Sequence, residues 1–216
     1  MELRDITYTI IDHVAQVNLV RPAAMNAIRP RTIEEFEMLM ERLDKSGVRG
    51  LVITGVGLVF CSGLDPAMTN GSNASRSFQR LIQALLRQPG IRICAVNGAA
   101  IGAGLDLTQA CDLCIASDWS TFSFAGSIGP DYSRRNALGP AERWMATGEV
   151  FTARQALASN LIDYVVRPEH VLKFALAEAR TMTRYSPRSI RMAGSGSTIS
   201  DNQPLNRFSP LANHGI

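Results

Sequence analysis

Short, mainly apolar runs alternate with amphipathic stretches along this chain, and that alternation limits its fold more than any other feature. Residues 50–54 (GLVIT) and 91–96 (IRICAV) are too short for buried helices and read as strands buried on both faces. Residues 6–11 and 13–20 read as two more strands, joined by a tight turn at Asp12. Between these runs, residues 32–43 carry a helical pattern that opens with Thr32 and Glu35 spaced as a capping box. A second helix is predicted over 75–86 and is stopped by Pro89-Gly90. A short helix over 105–110 and a strand over 113–116 continue the series. Strands separated by helices need crossover connections, so the fold class is α/β.

Past Gly139 the balance tips toward helix. Helices are predicted over 140–147, over 152–158 (with Thr152 and Gln155 in a second capping-box pattern) and over 168–184, with a strand at 161–166. From Ala193 onward Gly, Ser, Asn and Pro replace any apolar period. The expected division is therefore a core over 1–139, a helical C-terminal region over 140–192 and an irregular tail over 193–216. No internal repeat is visible.

Composition narrows the function classes. With 46% apolar and 19% charged residues among 216, the chain can bury a core and is not of disordered type. The net charge is only +3 and the basic residues are scattered arginines, with Lys45 and Lys173 the only lysines. Without a basic block, a nucleic-acid partner is not expected. No apolar run reaches membrane-span length and the first ten residues lack a signal-peptide pattern, so a cytoplasmic protein is expected. Cys111 and Cys114 form a lone C-x-x-C within ACDLCIAS, read as a strand, where positions three apart face opposite sides. No second Cys or His pair completes a zinc site, so these cysteines, with Cys61 and Cys94, are expected to be small core residues.

Chemistry concentrates where apolar runs enter small residues. One such place is VFCSGLD at 59–65, the other VNGAAIGAGLD at 96–106. Glycine lets a backbone approach a ligand closely and present its N–H groups. Two N–H donors converging on one carbonyl oxygen make an oxyanion hole; glycines needed only for tight turns are the plainer alternative. Nucleotide-binding spacings fail, because Gly98, Gly102 and Gly104 do not make G-x-G-x-x-G and no G-K-[ST] exists.

The order of the motifs resembles the crotonase (enoyl-CoA hydratase/isomerase) superfamily over roughly residues 6–192. RPAAMNA at 21–27 looks like that family's R-P-x-x-x-N-A loop, and VITG at 52–55 with FCSGLD at 60–65 is similar to L-T-G…F-C-A-G-x-D. Residues 95–112 resemble A-V-N-G-x-x-x-G-G-G-x-E-L-x-x-x-C-D, and TFSF at 121–124 follows where the family has T-F-x-x-P-E. Residues 147–166 look like its T-G…A-x-x-A-x-x-x-G-L-V-x-x-V element. The resemblance implies a ββα spiral core with a shortened helical C-terminal region. It also implies an acyl-CoA substrate, no cofactor beyond the coenzyme A that the substrate carries, no metal, and a homotrimer or dimer of trimers.

Carried over residue by residue, the resemblance puts the N–H groups of Leu64 and Ala103 at the two oxyanion positions. Ala24, Met25, Ala27, Ser62, Leu64 and Asp65 fall along the adenine and pantetheine arm. Asp106 takes the first catalytic glutamate position, two residues after Gly104. The family's second glutamate is absent, since Ala125-Gly126 replaces Pro-Glu. Asp131 and Tyr132 are the nearby groups able to fill that space, although Asp131 aligns with a surface turn. Hydration generally uses two carboxylates, whereas one acid/base suffices to move a proton between carbons. An isomerase or hydratase-type lyase with one acid/base is thus the leading expectation. Thioester decarboxylation or C–C cleavage, and a non-catalytic acyl-CoA binder, remain the alternatives.

Overall fold

The computed structural model describes residues 2–68, 73–128 and 140–185. A hairpin begins the fold: β1 (Ile6–Ile11) pairs antiparallel with β2 (Val14–Leu19). Asp12 and His13 at its tip both take positive φ, 52° and 63°, the twist that a two-residue hairpin loop requires. Then follow α1 (Pro30–Asp44), β3 (Gly50–Gly55), β4 (Val59–Cys61), α2 (Ala74–Arg87), β5 (Ile91–Val96) and β6 (Ala99–Ile101). The chain continues through α3 (Ala103–Gln109), β7 (Leu113–Ser117), β8 (Thr121–Ser123), α4 (Ala141–Thr147) and β9 (Phe151–Thr152). It ends in α5 (Ala153–Ala158), β10 (Tyr164–Val166) and α6 (Val171–Met182).

The strands form two sheets. The larger has the order β1-β2-β3-β5-β7-β10 and is parallel apart from the β1–β2 hairpin. The smaller has the order β4-β6-β8-β9. Successive strand pairs, β3 with β4, β5 with β6 and β7 with β8, each place one strand in the large sheet and the next in the small one. This repeat, with α2 and α3 after its first two turns, is a ββα spiral. The segment over 140–185 adds helices and also closes both sheets, β9 on β8 and β10 on β7.

Alternation along the strands explains the layering. Leu51 and Ile53 of β3, Cys94 and Val96 of β5, and Cys114 and Ala116 of β7 share one buried cluster with Phe60 and Phe122 of the small sheet. The intervening Val52, Ile93, Ala95 and Ile115 face the other way, onto α6. That helix meets them with Val171, Ala175 and Ala179, which are spaced four apart and so share one face.

Several expectations shift at their edges. α1 starts at Pro30, not Thr32, with Arg29 as N-cap and the Thr32 hydroxyl accepting from the Arg29 amide at 3.2 Å. Glu35 therefore caps nothing on its own helix. Its buried carboxylate accepts from the amides of Arg4, Asp5 and Ile6 at 2.9, 2.8 and 3.1 Å, tying α1 to β1. The second capping box forms as expected, between Thr152 and Gln155. The strand predicted over 161–166 shortens to β10, and the helix over 168–184 begins with a 3-10 turn before α6. Cys111 precedes β7 and lies 3.2 Å from the Cys94 sulfur, and all four cysteines are buried. The helix expected to begin at Pro187, Asp131 and Tyr132, and the tail over 193–216 lie outside the described residues.

Candidate functional site

The two small-residue turns meet. After β4 the chain passes through Gly63, whose φ of +105° is a conformation that side chains rarely adopt. A methyl group on Gly63 would lie 3.1 Å from the Ile101 carbonyl oxygen and 3.6 Å from the Ala103 nitrogen. Gly63, the residue before Leu64, thus packs directly against the main chain of Ile101 and Ala103. Gly104 makes the approach feasible, since a side chain there would collide with the carbonyl of Cys61.

A bridge orients one amide and a helix start the other. Leu64 bridges Ile28 in parallel fashion, with Ile28 N donating to Gly63 O and Asp65 N donating to Ile28 O, both at 2.8 Å. In such a bridge the amide of the central residue points away from its partner strand. Leu64 N–H therefore points away from Ile28, toward the side on which β6 pairs with β4. Ala103 is the first residue of α3, where no preceding helical turn supplies an acceptor. Among the described residues, neither amide donates to a main-chain carbonyl.

The six residues placed by resemblance along a coenzyme A arm also gather here. The loop over 22–28 lies against 62–65: Ser62 N donates to Met25 O at 3.1 Å, and the Ile28 bridge lies next to it. Ala24, Ser62, Leu64 and Asp65 are half-buried, Ala27 is buried, and Met25 is 57% exposed. The loop is locked from within. Asn26 accepts from Arg21 N at 2.9 Å and donates to the carbonyls of Val56 and Val59 at 3.0 and 2.7 Å. The Arg21 guanidinium donates to Ala27 O and, at 2.9 Å, to Asp65 Oδ2. That bond, with the Ala67 amide, holds the Asp65 carboxyl below the usual carboxylate range. The Asp65 side chain is accordingly committed to the scaffold.

Asp106 occupies the first turn of α3 with no solvent exposure. Its Oδ1 accepts from the Ser127 hydroxyl at 2.5 Å and its Oδ2 from the Ile128 amide at 2.7 Å. A buried carboxylate needs such donors. Its charge is felt at Cys61, whose thiol is pushed up to about 12, first by burial and then by Asp106, against a hydrogen bond to Gly63 O. Cys61 is thus a neutral packing group. Sequence reasoning missed Ser127 and Ile128, because nothing in the pattern marks a serine after Ala-Gly as a partner for a residue 21 positions earlier. Gly126, standing where the resemblance places a second carboxylate, has φ +73°, and among the described residues a Cβ there would meet nothing within 4 Å. A cleft of ≈ 460 Å³ involving Arg143, Trp144 and Gln155 shares none of these residues.

The ββα spiral places the chain in a class of α/β proteins, with the two small-residue turns and the buried Asp106 carboxylate on neighbouring elements. Within that class, the enoyl-CoA hydratase/isomerase family model matches residues 9–202, and the chain belongs to this family. It is 30% identical to the (E)-benzylidenesuccinyl-CoA hydratase of Thauera aromatica, over 93% of this chain and 84% of that one. It is 28% identical to the short-chain-enoyl-CoA hydratase of Clostridium acetobutylicum, over 89% and 80%. Among solved structures, a monofunctional enoyl CoA isomerase from M. smegmatis superposes with a TM-score of 0.75 at 28% identity, covering 88% of this chain and 90% of that one. A probable enoyl-CoA hydratase/isomerase from Mycobacterium abscessus reaches 0.79, also at 28% identity, over 88% and 80%.

Proposed function

We propose that this protein binds an acyl-CoA thioester across the gap between Leu64 and Ala103 and stabilises the enolate formed from it. The juxtaposition of the two turns carries the reading: one carbonyl oxygen placed between them receives both N–H groups. Charge grows on that oxygen as a proton leaves the carbon chain, so fixed donors there favour the transition state over the ground state. Asp106, three residues along α3 from Ala103, takes the proton from one carbon and returns it to another. The electron pair moves through the enolate, and the double bond shifts without net change in composition.

Ala24, Met25, Ala27, Ser62, Leu64 and Asp65 would line the coenzyme A arm, mostly through main-chain atoms, since the Asp65 carboxylate is held by Arg21. No cofactor is needed beyond that coenzyme A. The reaction is isomerase-like, with hydratase (lyase) activity subordinate because Gly126 offers no second carboxylate to hold water. The same departure supports two other readings: decarboxylation or C–C cleavage, in which one acid protonates the resulting enolate, and an acyl-CoA binder without turnover. A homotrimer or dimer of trimers is proposed from the family, as is a place in fatty-acid metabolism. A cytoplasmic setting is also proposed; among the described residues no helix is long and apolar enough to cross a membrane.

The test uses crotonyl-CoA and butyryl-CoA in deuterated water. Deuterium uptake at the α or γ carbon is expected with the wild type. Asp106→Asn should lower it by about 10²–10⁴-fold, the usual range for a positioned acid/base, while thioester affinity persists. Tight binding with no exchange would favour the binder, and an undiminished rate in Asp106→Asn would remove this carboxylate from the chemistry.

A further inference from the structure

We propose that Ser127 is the positioning residue of Asp106, delivered to it by the turn that replaces the second carboxylate. The inference rests on the reading that Asp106 moves the proton.

An aspartate is one methylene shorter than the glutamate it replaces, so a small rotation of its carboxyl changes which atom it can reach. Here each oxygen is held separately, Oδ1 by the Ser127 hydroxyl at 2.5 Å and Oδ2 by the Ile128 amide at 2.7 Å. Two donors on two oxygens fix the plane of the group.

The source of those donors is the turn over 124–127. Ser127 N donates to Phe124 O at 2.8 Å, and Gly126 at the third position has φ +73°. A positive φ at that position is what a type II turn requires, and glycine supplies it. A glutamate there would strain the bend that brings Ser127 round to Asp106. The turn is anchored on both flanks. Ala125 N donates to the Ser123 hydroxyl at 3.0 Å, and that hydroxyl donates to Gly148 O at 2.7 Å. A side chain on Gly102 would come within 2.6 Å of Ala125 O, so the turn sits against the residue that precedes Ala103. Gly126 thus does more than remove an acid. It shapes the bend that clamps the remaining one, beside one of the two amides.

Ser127→Ala, Ser127→Thr and Asp106→Asn would be compared with wild type for deuterium exchange into crotonyl-CoA and butyryl-CoA, with kcat and KM separated. A carboxylate released from its geometry should lose on the order of 10²-fold in kcat, with KM within about twofold. Ser127→Thr, which keeps the hydroxyl, should recover most of the loss.

An Ser127→Ala variant with wild-type kcat beside an inactive Asp106→Asn would overturn the inference and leave the acid/base reading standing. A rise in KM at constant kcat would overturn it too, by making Ser127 a wall of the pocket. Loss in Ser127→Thr as deep as in Ala would show that packing, not the hydroxyl, is at stake. Full exchange in Asp106→Asn, or none in wild type, would sink the acid/base reading itself.

Discussion

Gly63→Ala offers the sharpest test of the paired turns, because the structure provides its own control. Gly63 and Gly47 both have positive φ, +105° and +72°. A methyl on Gly47 would meet nothing within 4 Å, whereas one on Gly63 would press on Ile101 O at 3.1 Å and approach Ala103 N at 3.6 Å. Gly47→Ala should therefore cost backbone strain alone, about 1–2 kcal/mol. Gly63→Ala should cost about 1–3 kcal/mol of strain and a further ~1 kcal/mol or more for overpacking. At roughly 2–4 °C per kcal/mol for a chain of this size, the melting temperature should fall by about 2–8 °C for Gly47→Ala and by about 4–16 °C for Gly63→Ala. Activity separates them further. Displacing either amide would remove one of the two proposed oxyanion donors, worth on the order of 10²-fold or more in kcat, while the Gly47 variant should exchange deuterium at the wild-type rate. Scanning calorimetry and the crotonyl-CoA exchange assay would read both. Equal thermal losses with unchanged exchange in Gly63→Ala would refute the close approach of the two turns and the role built on it.

The cysteines should be silent in the native protein: at pH 8 a thiol reagent is expected to label none of the four, and all four after guanidinium unfolding. Prompt native labelling of Cys61 would contradict its burial. Because its thiol is raised from 9.0 to about 12, the associated stability is complete below pH 9 and should decline as pH climbs toward 12. At the acid end the sign reverses. Burial pushes Asp5 up, but hydrogen bonds from Arg29 and Thr32 and the charge of Arg29 outweigh it; Asp65 is lowered by Arg21. Both contributions are present above the ordinary value of 3.8 and are lost as pH falls through the folded-state values. Arg29→Met should reduce neutral-pH stability by about 1–2 kcal/mol, discounted because the Arg29 side chain is 39% exposed. It should also flatten the acid limb of urea midpoints measured from pH 6 to 2, and an unchanged limb would count against the pairing.

The large sheet was legible because its central strands are buried on both faces, which leaves mainly apolar runs such as those of β3 and β5, with Arg92 the one charged residue in the two. The small sheet was not. β4, β6 and β8 have three residues each and β9 two, too few to show a period. Their pairing is set by tertiary contact, as when Phe122 meets Phe151 across two such strands. The start of α1 was misplaced for a related reason, since Thr32 and Glu35 have the spacing of a capping box while the glutamate serves β1 instead.

The site shows the same split between what a motif announces and what it does. The most recognisable side chains turn out to be locks: Asn26 spans two carbonyls, Asn97 joins the Gly55 amide to the Gly57 carbonyl, and Asp112 grips Arg92 through its amide and guanidinium. What they hold in place is main chain, whose turns sequence can imply only through the small residues around them. Departures at the site are then informative according to what they touch. Ala103 in place of glycine keeps its N–H, so the proposed donor pair survives the change. Gly126 in place of glutamate changes both the charge and the bend, and the bend brings up Ser127. Under the proposed function, a chain that keeps both amides, lacks one acid and clamps the other would move a proton along an enolate more readily than it would add water.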